Sequence, residues 1–409
     1  MFSDAPDQRA LVEQFDLSAL TPDFYRDPYP WYDALRTLQP VRRMKNGSYF
    51  LTRYDDVMAV YKNPKAFSSD KQAEFGPKYG DSPLYRHHTT SLVFNDPPLH
   101  TRVRRLIAGA LTPRAIAGME AGLEALVAQL LDSMAAKGEV DLIEDYASAI
   151  PIEVIGNLLA VPHEERSPLR DWSLAILGAL EPVLTPQVAE RGNAAVSEFS
   201  AYLEGLIARR RHAPGDPAHD VLTRLIEGED GGEKLTPDEL LHNCIFLLNA
   251  GHETTTNLIG NGLVALHDHP AQRQRLLADP ELIRPAIEEV LRYESSNQLG
   301  NRITTETVEI GGVAMPPQTQ VTLCIGAANR DPAQFDQADR FDIGRMPNRH
   351  VAFGSGIHQC AGMNLARLEG RVALSAFLAR FPDFALAGPP VRGGRARFRG
   401  FLKIPARLG

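Results

Sequence analysis

The sequence predicts a mainly helical fold with a small β region, and three observations point to this class. Apolar residues recur at spacings of three and four over much of residues 100–227, as they do in amphipathic helices. A capping box at 236–239 (TPDE) opens a helical stretch that contains no proline before Pro270. Strand-like segments occur only near the two ends of the chain, at 48–53 (SYFLTR) and 303–325.

Composition and charge exclude several classes of protein. The 409 residues are 44% hydrophobic and 23% charged, which excludes a disordered chain, a collagen and a coiled coil. A net charge of −8 disfavours a nucleic-acid partner, since duplex-binding proteins are usually basic. Three cysteines are too few for a disulfide framework in a chain of this length. With no visible secretory signal and no apolar run of membrane-spanning length, we expect a cytoplasmic protein without a membrane partner.

The first half of the chain divides into an arm, a loop and helices. Residues 1–30 are rich in Pro and Asp and predict an extended arm with short turns. Residues 64–92 contain several Pro and Gly residues and little periodicity, which predicts a loop long enough to act as a binding lid. A helix is predicted over 122–137, and residues 228–233 (GEDGGE) predict a charged loop.

The second half begins with the strongest helix signal. More than thirty residues without a stop, at 1.5 Å each, give a helix of roughly 45–50 Å, which must cross the core. Its middle is nevertheless polar over 249–256, and such departures tend to mark function. A second helix is expected from Pro285 to about Tyr293. Strands with a Gly-Gly turn, an irregular segment over 331–349 and a helix over 363–381 follow.

A glycine-rich loop at 353–362 (FGSGIHQCAG) places Cys360 directly before that last helix. The free N–H groups of a helix N-terminus stabilise a thiolate, and glycines let the backbone approach a flat ligand closely. A haem iron with one axial thiolate meets these demands.

Other interpretations of this loop stay open. Gly354 and Gly356 begin a dinucleotide fingerprint, although Gln359 occupies the position of its third glycine. A zinc site would need more ligands than the nearby His350 and His358. A buried structural cysteine is the remaining alternative.

The loop resembles the haem-binding signature of the cytochrome P450 superfamily, FGxGxHxCxG, at every fixed position. Four further segments resemble family motifs in family order: 96–102 (DPPLHTR) with Arg104 and Arg105, 250–255 (AGHETT), 289–292 (EVLR), and 326–332 (GAANRDP) with 339–341 (DRF). The resemblance implies the soluble bacterial branch and a single domain over residues 1–409. It also implies a triangular helical prism that holds haem b between the long central helix and the Cys-loop helix.

The resemblance also implies roles for individual residues. Cys360 is expected to ligate the iron. The cofactor contacts that we expect are His100, Arg104, Arg302, His358, Phe353, Gly354, Ala250 and Gly362. The cations among them would meet the haem propionates, with solvated surface charges as the alternative. Glu289 and Arg292, three apart on one helix, are expected to form a buried structural pair that Arg340 completes.

The polar middle of the long helix is the expected catalytic segment, formed by Gly251, Glu253 and Thr254. A threonine that bonds back to the carbonyl one turn earlier can bend a helix and, beside a glycine, open a groove for dioxygen. Oxygen cleavage needs protons, and an adjacent acid and hydroxyl suit that delivery. The alternative is that the threonines only satisfy helix carbonyls.

Four segments are expected to wall the substrate pocket: 85–95, 172–181, 246–254 and the strand after Arg292. Phe246, Asn249 and Asn297 are the candidate substrate contacts. In relatives the last segment often carries a proline and an apolar residue where this chain has Ser296 and Asn297, so we expect a polar anchor. A solvated loop is the expectation for 86–88 (RHH), with attraction of an anionic substrate as the alternative.

The function implied is a monooxygenase that inserts one atom of O2 into a small organic substrate, by hydroxylation or oxidative demethylation. No flavin or NAD motif is visible, so electrons are expected from NAD(P)H through a ferredoxin or flavodoxin and its reductase. Arg102, Arg105, Arg349 and Arg367 would form the docking face, and a monomer is expected. A peroxide-driven peroxygenase and a non-catalytic haem sensor are the alternatives.

Overall fold

A computed structural model describes residues 7–217, 220–230 and 233–409. Helices dominate the fold. They are α1 (Gln8–Gln14), α2 (Pro22–Arg26), α3 (Tyr29–Leu38), α4 (Tyr54–Lys62), α5 (Gln72–Tyr79), α6 (Pro83–Thr90), α7 (Leu99–Ala110), α8 (Pro113–Ala135), α9 (Ala149–Leu158), α10 (Leu169–Gly178), α11 (Pro186–His212), α12 (Val221–Glu227), α13 (Pro237–Asp268), α14 (Pro270–Ala278), α15 (Ile283–Tyr293), α16 (Ile325–Ala328) and α17 (Met363–Arg380).

The strands form small sheets beside the helices. They are β1 (Val41–Arg43), β2 (Tyr49–Leu51), β3 (Phe67–Ser68), β4 (Glu139–Asp141), β5 (Glu229–Asp230), β6 (Glu233–Lys234), β7 (Leu299–Thr304), β8 (Val308–Ile310), β9 (Val313–Met315), β10 (Gln320–Cys324), β11 (Ala385–Leu386), β12 (Val391–Arg392), β13 (Phe401–Lys403) and β14 (Pro405–Arg407). The largest sheet has the order β1-β2-β10-β7-β3, in which only the pairing of β2 with β10 is parallel. A three-stranded sheet has the order β11-β14-β4. These sheets bring both ends of the chain against the helical core.

The long central helix is confirmed. The Thr236 side chain accepts a hydrogen bond from the Glu239 N–H and the Glu239 side chain caps Thr236 in return, with Pro237 at the first helical position. α13 ends before Pro270 and packs against α9, α10, α11, α15 and α17, so its middle is buried although it is polar. Within the described ranges, no helix combines the length and the apolar character needed to cross a membrane.

The predicted N-terminal arm is wrong for the described residues 7–30, and residues 1–6 lie outside them. Asp7 and Thr21 cap α1 and α2, and Pro22 occupies the first helical position of α2. Phe15 and Phe24 from this segment are buried against one another and the first sheet. Pro and Asp therefore act as helix-start residues here, because the apolar side chains between them have a surface to pack on.

The predicted loop over 64–92 is also wrong. It contains β3, α5 and α6, with Pro83 in the first turn of α6 and Ser82 as its cap. Phe75 and Leu84 are buried, and this burial stabilises helices that have weak local signals. Tertiary packing overrides the Gly and Pro content of the segment.

The remaining predicted elements agree with the structure. Helices occur at α8, α15 and α17, and strands occur within both β-like segments. Gly311 and Gly312 both have positive φ and form the predicted turn between β8 and β9. In the charged loop, β5 pairs with β6, while residues 231–232 lie outside the described part of the chain.

A buried ion-pair network anchors the segment that leads to Cys360. The Arg292 guanidinium donates two hydrogen bonds of 2.8 Å to the Glu289 carboxylate, and both side chains are fully buried. The third member of this network is Arg345, whose Nε lies 3.1 Å from Glu289 Oε2. The prediction that Arg340 completes the pair is wrong, because its exposed guanidinium bonds Gln337 instead.

Arg340 contributes only its backbone, since its carbonyl accepts hydrogen bonds from Arg292 and Arg345. Glu289 also accepts the N–H of Asp342 at 2.8 Å and the Nδ2 of Asn348 at 3.2 Å. The irregular segment therefore folds around one buried carboxylate. Because the segment has no regular structure, the sequence pattern alone does not show whether Arg340 or Arg345 contacts that carboxylate.

We expect Arg345→Met to lower the free energy of unfolding by about 2–3 kcal/mol, because it leaves part of a fully buried carboxylate without its partner. Arg340→Met is the matched control and should change it by less than about 0.5 kcal/mol. Urea titration of both variants measures the difference. Equal losses in the two variants would restore Arg340 as the third member.

Candidate active site

A largely apolar cavity of about 350 Å³ is lined by α13 and by the Cys360 loop. All four predicted wall segments contribute, including Leu92, Leu177, Phe246 and Asn297. The prediction missed two further walls, which are α9 and the C-terminal segment at 397–398. Neither carries a local sequence signal, since each reaches the cavity only through the packing of distant elements.

The Cys360 loop holds its thiol in the cavity wall. The Cys360 N–H donates to the carbonyl of Phe353 at 2.9 Å, which closes the loop on itself. Gly354 and Gly356 have φ values of +65° and +71°, and a Cβ on Gly356 would lie 2.4 Å from the carbonyl oxygen of Tyr61. Glycine is therefore required at this approach.

The pKa of the Cys360 thiol is raised, whereas the helix N-terminus was expected to lower it. The side chain is accessible from the cavity, yet the dense protein around it raises the pKa of the thiol. The Gly362 N–H, Arg104 and Arg367 lower this pKa by less than burial raises it. The helix N-terminus therefore does not by itself bring about the lowered pKa that was expected, and a cation bound to the sulfur would lower the pKa of the thiol.

Four basic side chains form the rim of the cavity beside Cys360: His100, His358, Arg104 and Arg302, hereafter the His–Arg rim. The two imidazole rings lie 4.0 Å apart. Both nitrogens of His100 and Nε2 of His358 are buried without a hydrogen-bond partner in the described structure. Burial and Arg302 lower the pKa of His358 to about 2, so the ring is neutral.

The two arginines of the His–Arg rim bond only to carbonyls in the described structure. Arg104 donates to the carbonyl of Gln359, and Arg302 donates to that of Asn301 at 2.7 Å. The guanidinium of Arg302 also lies over the Tyr61 ring at 5.5 Å. Two guanidinium groups without a carboxylate, beside unpartnered imidazole nitrogens, fit a ligand that carries anionic groups at its edge.

The other expected cofactor contacts also line the cavity. They are Phe353, Gly354, Ala250 and Gly362. The cavity therefore combines a thiol, two glycine-lined backbone surfaces, apolar walls and a cationic rim. These features match the needs of a haem with one sulfur ligand and two carboxylates. The residues present therefore fit this cofactor.

On α13, the Thr254 hydroxyl donates to the carbonyl of Ala250 at 2.7 Å, as predicted. The alternative interpretation, in which the threonines only satisfy helix carbonyls, predicts the same bond. Gly251 has a packing reason of its own, since a Cβ there would lie 2.4 Å from Cδ1 of Ile155 on α9. Gly251 therefore lies where α9 packs closely against α13, and a larger side chain there would require the Ile155 side chain to move.

Glu253 does not face this cavity. Its Oε1 accepts from Nη1 of Arg395, and it lines a second, small cavity with His252 and Asn257. The expected acid–hydroxyl pair is therefore split, because consecutive helical residues point about 100° apart. Burial raises the pKa of Glu253 more than Arg395 lowers it, and Oε2 is buried without a hydrogen-bond partner in the described structure. No sequence signal indicated Arg395, which lies 142 positions away.

Comparison with known proteins agrees with this geometry. The family model described as Cytochrome P450 matches residues 40–384. The chain belongs to the cytochrome P450 family. It is 36% identical over 399 residues to 6-deoxyerythronolide B hydroxylase of Saccharopolyspora erythraea, covering 94% of this chain and 97% of the relative.

Solved structures are similar over nearly the whole P450 chain. The P450BioI complex with hexadec-9Z-enoic acid ligated to acyl carrier protein has a TM-score of 0.89 at 34% identity, covering 95% of this chain and 100% of that one. Myxobacterial CYP267B1 in complex with myristic acid has a TM-score of 0.87 at 34% identity, with coverage of 95% and 98%. The predicted fold class is confirmed, and this P450 is a haem-thiolate monooxygenase that uses O2 and redox partners.

The substrate side of the P450 cavity contains all three predicted contacts, Phe246, Asn249 and Asn297. Both polar side-chain atoms of Asn249 and Oδ1 of Asn297 are buried without a hydrogen-bond partner in the described structure. These amides are available to a polar group of a substrate. Lys71 and Arg397 also line the cavity, and no sequence pattern indicated either residue.

The segment 86–88 divides between the surface and the cavity. Arg86 is exposed and pairs with Asp238, as expected of a solvated loop. That expectation is wrong for His87 and His88, which are buried in the cavity wall. Burial lowers the pKa of both rings, that of His88 to about 3, so neither carries charge at neutral pH.

Gly356→Ala should lower the free energy of unfolding by about 2 kcal/mol or more, since it combines a left-handed φ with a backbone clash. Gly362→Ala is the control in the same loop, because Gly362 has φ −89° and no atom within 4 Å of an added Cβ. Its effect should stay below about 0.5 kcal/mol. Urea unfolding monitored by circular dichroism compares them, and similar losses would contradict the steric argument.

Proposed function

We propose that this P450 binds haem b with Cys360 as the iron ligand and hydroxylates or oxidatively demethylates a largely apolar substrate. The observation that carries the proposal is the accessible Cys360 thiol in the wall of a cavity that also holds Thr254 and the His–Arg rim. When bound, a thiolate-ligated haem supplies the activation of dioxygen. The chain supplies the shape, charge and protons around it.

The His–Arg rim is the proposed site for the haem propionates. Neutral imidazoles donate hydrogen bonds and the two guanidinium groups add charge, which suits carboxylates at a half-buried edge. The unpartnered nitrogens of His100 and His358 support this assignment, since buried polar atoms rarely lack partners in a complete site.

Protons are proposed to reach the cavity through Glu253 and Thr254. Glu253 lies on α13 and lines the second cavity. Its raised pKa lets it hold a proton nearer neutral pH than an ordinary carboxylic acid. Thr254 lies on the adjacent face of the helix and lines the main cavity, where its hydroxyl would position the proton acceptor beside a bound haem. The hydrogen bond from Arg395 would hold the Glu253 carboxyl group in place between proton transfers.

The substrate is proposed to be a mostly apolar molecule with at least one polar group, held by Asn249 and Asn297. One relative is named 6-deoxyerythronolide B hydroxylase, and the P450BioI structure contains hexadec-9Z-enoic acid ligated to acyl carrier protein. Both names fit an apolar cavity with few polar groups.

Electrons are proposed to come from NAD(P)H through a ferredoxin or flavodoxin with its reductase. Of the predicted docking arginines, Arg105 and Arg349 are exposed at the surface, and Arg102 and Arg367 form ion pairs with Glu239 and Glu288. The surface exposure of Arg105 and Arg349 supports the proposed docking face. A single domain over 1–409, a monomer and a cytoplasmic location complete the proposal.

Cys360→His tests the ligand. The wild-type protein, purified with haem, should give a reduced carbonyl adduct with the absorption of a thiolate-ligated haem, and the variant should absorb like a histidine-ligated globin. Monooxygenation should fall to background in the variant. A wild-type adduct of the histidine type, or turnover retained in the variant, would overturn the proposal.

Glu253→Gln tests proton delivery. We expect kcat for product formation to fall about a hundredfold while the substrate dissociation constant stays within about twofold, because the group moves a proton and does not bind substrate. Asp238→Asn removes an exposed carboxylate from the same helix and should leave both quantities unchanged. Steady-state rates and equilibrium titrations measure the split, and a parallel loss of affinity would indicate a structural role instead.

A further inference from the structure

A second group of cations lines the cavity in addition to the His–Arg rim. Lys71 is 1% exposed, and its Nζ lies 2.9 Å from Oε2 of Glu74. Arg397 enters the cavity wall from the C-terminal segment. Two cations in a wall that is otherwise mostly apolar are costly unless an anion meets them.

Arg397 has no carboxylate partner within ion-pair distance among the described residues. Its Nε donates to the carbonyl of Leu180 at 3.2 Å and its Nη1 to that of Leu299 at 3.0 Å. The nearby Glu181 carboxylate accepts the backbone N–H groups of Ala396 and Arg397 instead of the guanidinium. The carbonyls therefore fix the position of the guanidinium, and no carboxylate of the described residues pairs with it directly.

The cluster around Arg397 carries an excess of positive charge. Arg397 lies close enough to Lys71 and to Lys78 to lower the pKa of each, and Arg302 of the His–Arg rim acts on Lys71 as well. The carboxylates that act on the two lysines are Glu74 and Glu181. Four cations and two carboxylates leave an excess of two positive charges. Burial lowers the pKa of both lysines to about 8, which keeps them mainly protonated at pH 7.

Uncharged donors and acceptors lie beside this charge. An antiparallel bridge joins Asn297 to Phe398, the neighbour of Arg397. Oδ1 of Asn297 and the buried hydroxyl of Ser296 have no hydrogen-bond partner in the described structure, and both residues line the cavity. An anion at this place would accept hydrogen bonds from the Arg397 guanidinium, the Ser296 hydroxyl and Nδ2 of Asn297, whereas Oδ1 of Asn297 can only accept.

We propose that Arg397, with Lys71 and Asn297, forms a subsite for a carboxylate of the substrate. The substrates of this P450 are then apolar carboxylic acids, held by the carboxylate in the wall and by the hydrocarbon body along the apolar surface. This inference rests on the proposed function, because it assigns a substrate to the same cavity.

The experiment titrates the haem-loaded protein with decanoic acid, methyl decanoate and decan-1-ol at pH 7 in an isothermal calorimeter. The acid should bind at least about tenfold more tightly than the two neutral compounds, as expected for a charge-assisted bond. Arg397→Gln and Asn297→Asp should each weaken acid binding about tenfold to a hundredfold and leave the alcohol within about twofold. Arg284→Gln, which removes an exposed charge on α15, should change none of these affinities.

Equal affinity for the acid and the neutral compounds in the wild-type protein would overturn the inference. So would a parallel loss of acid and alcohol binding in both variants, which would indicate a packing role. Retained alcohol binding shows that a variant is folded with an intact cavity. If the thiolate-type carbonyl adduct forms but the preference for the acid is absent, only the carboxylate subsite fails. If that adduct does not form, the proposed function itself fails.

Discussion

The full burial of the Glu289 carboxylate is the constraint on which the Cys360 region depends. A carboxylate without water must be surrounded by donors, and here they come from Arg292 on its own helix and from Arg345 in the irregular segment. Arg345, the N–H of Asp342 and the amide of Asn348 belong to a segment that has no sheet or helix of its own, so satisfying Glu289 folds that segment. The loop that carries Cys360 then begins from a fixed position.

The cavity separates its charges by function. The thiol of Cys360 and the His–Arg rim form one group, which suits a flat ligand with anionic edges. Lys71 and Arg397 form another, and Arg397 has no carboxylate in an ion pair among the described residues. Lys71 pairs with Glu74, so Arg397 is the cation of this second group that is left to direct an anionic group to one place.

α13 connects the cavity to a more polar region on its other side. Thr254 faces the cavity and Glu253 faces Arg395, although the two residues are adjacent in sequence. A helix makes this separation unavoidable, since neighbouring side chains leave it in different directions. The same helix can therefore present a hydroxyl to the cavity while it holds a titratable acid on an adjacent face.

The sequence by itself determined the elements whose signals are local. The capping box of α13, the glycine-rich Cys360 loop and the back-bonding Thr254 each depend on residues within one or two turns, and all occur in the structure as predicted. Tertiary structure alone decided that Arg345 rather than Arg340 meets Glu289, that Glu253 turns to Arg395, and that Lys71 and Arg397 reach the cavity. These partners lie tens to hundreds of positions apart, and long charged side chains carry no periodicity that indicates what they will touch. Their pairing follows from the packing of the core, which brings their backbones together.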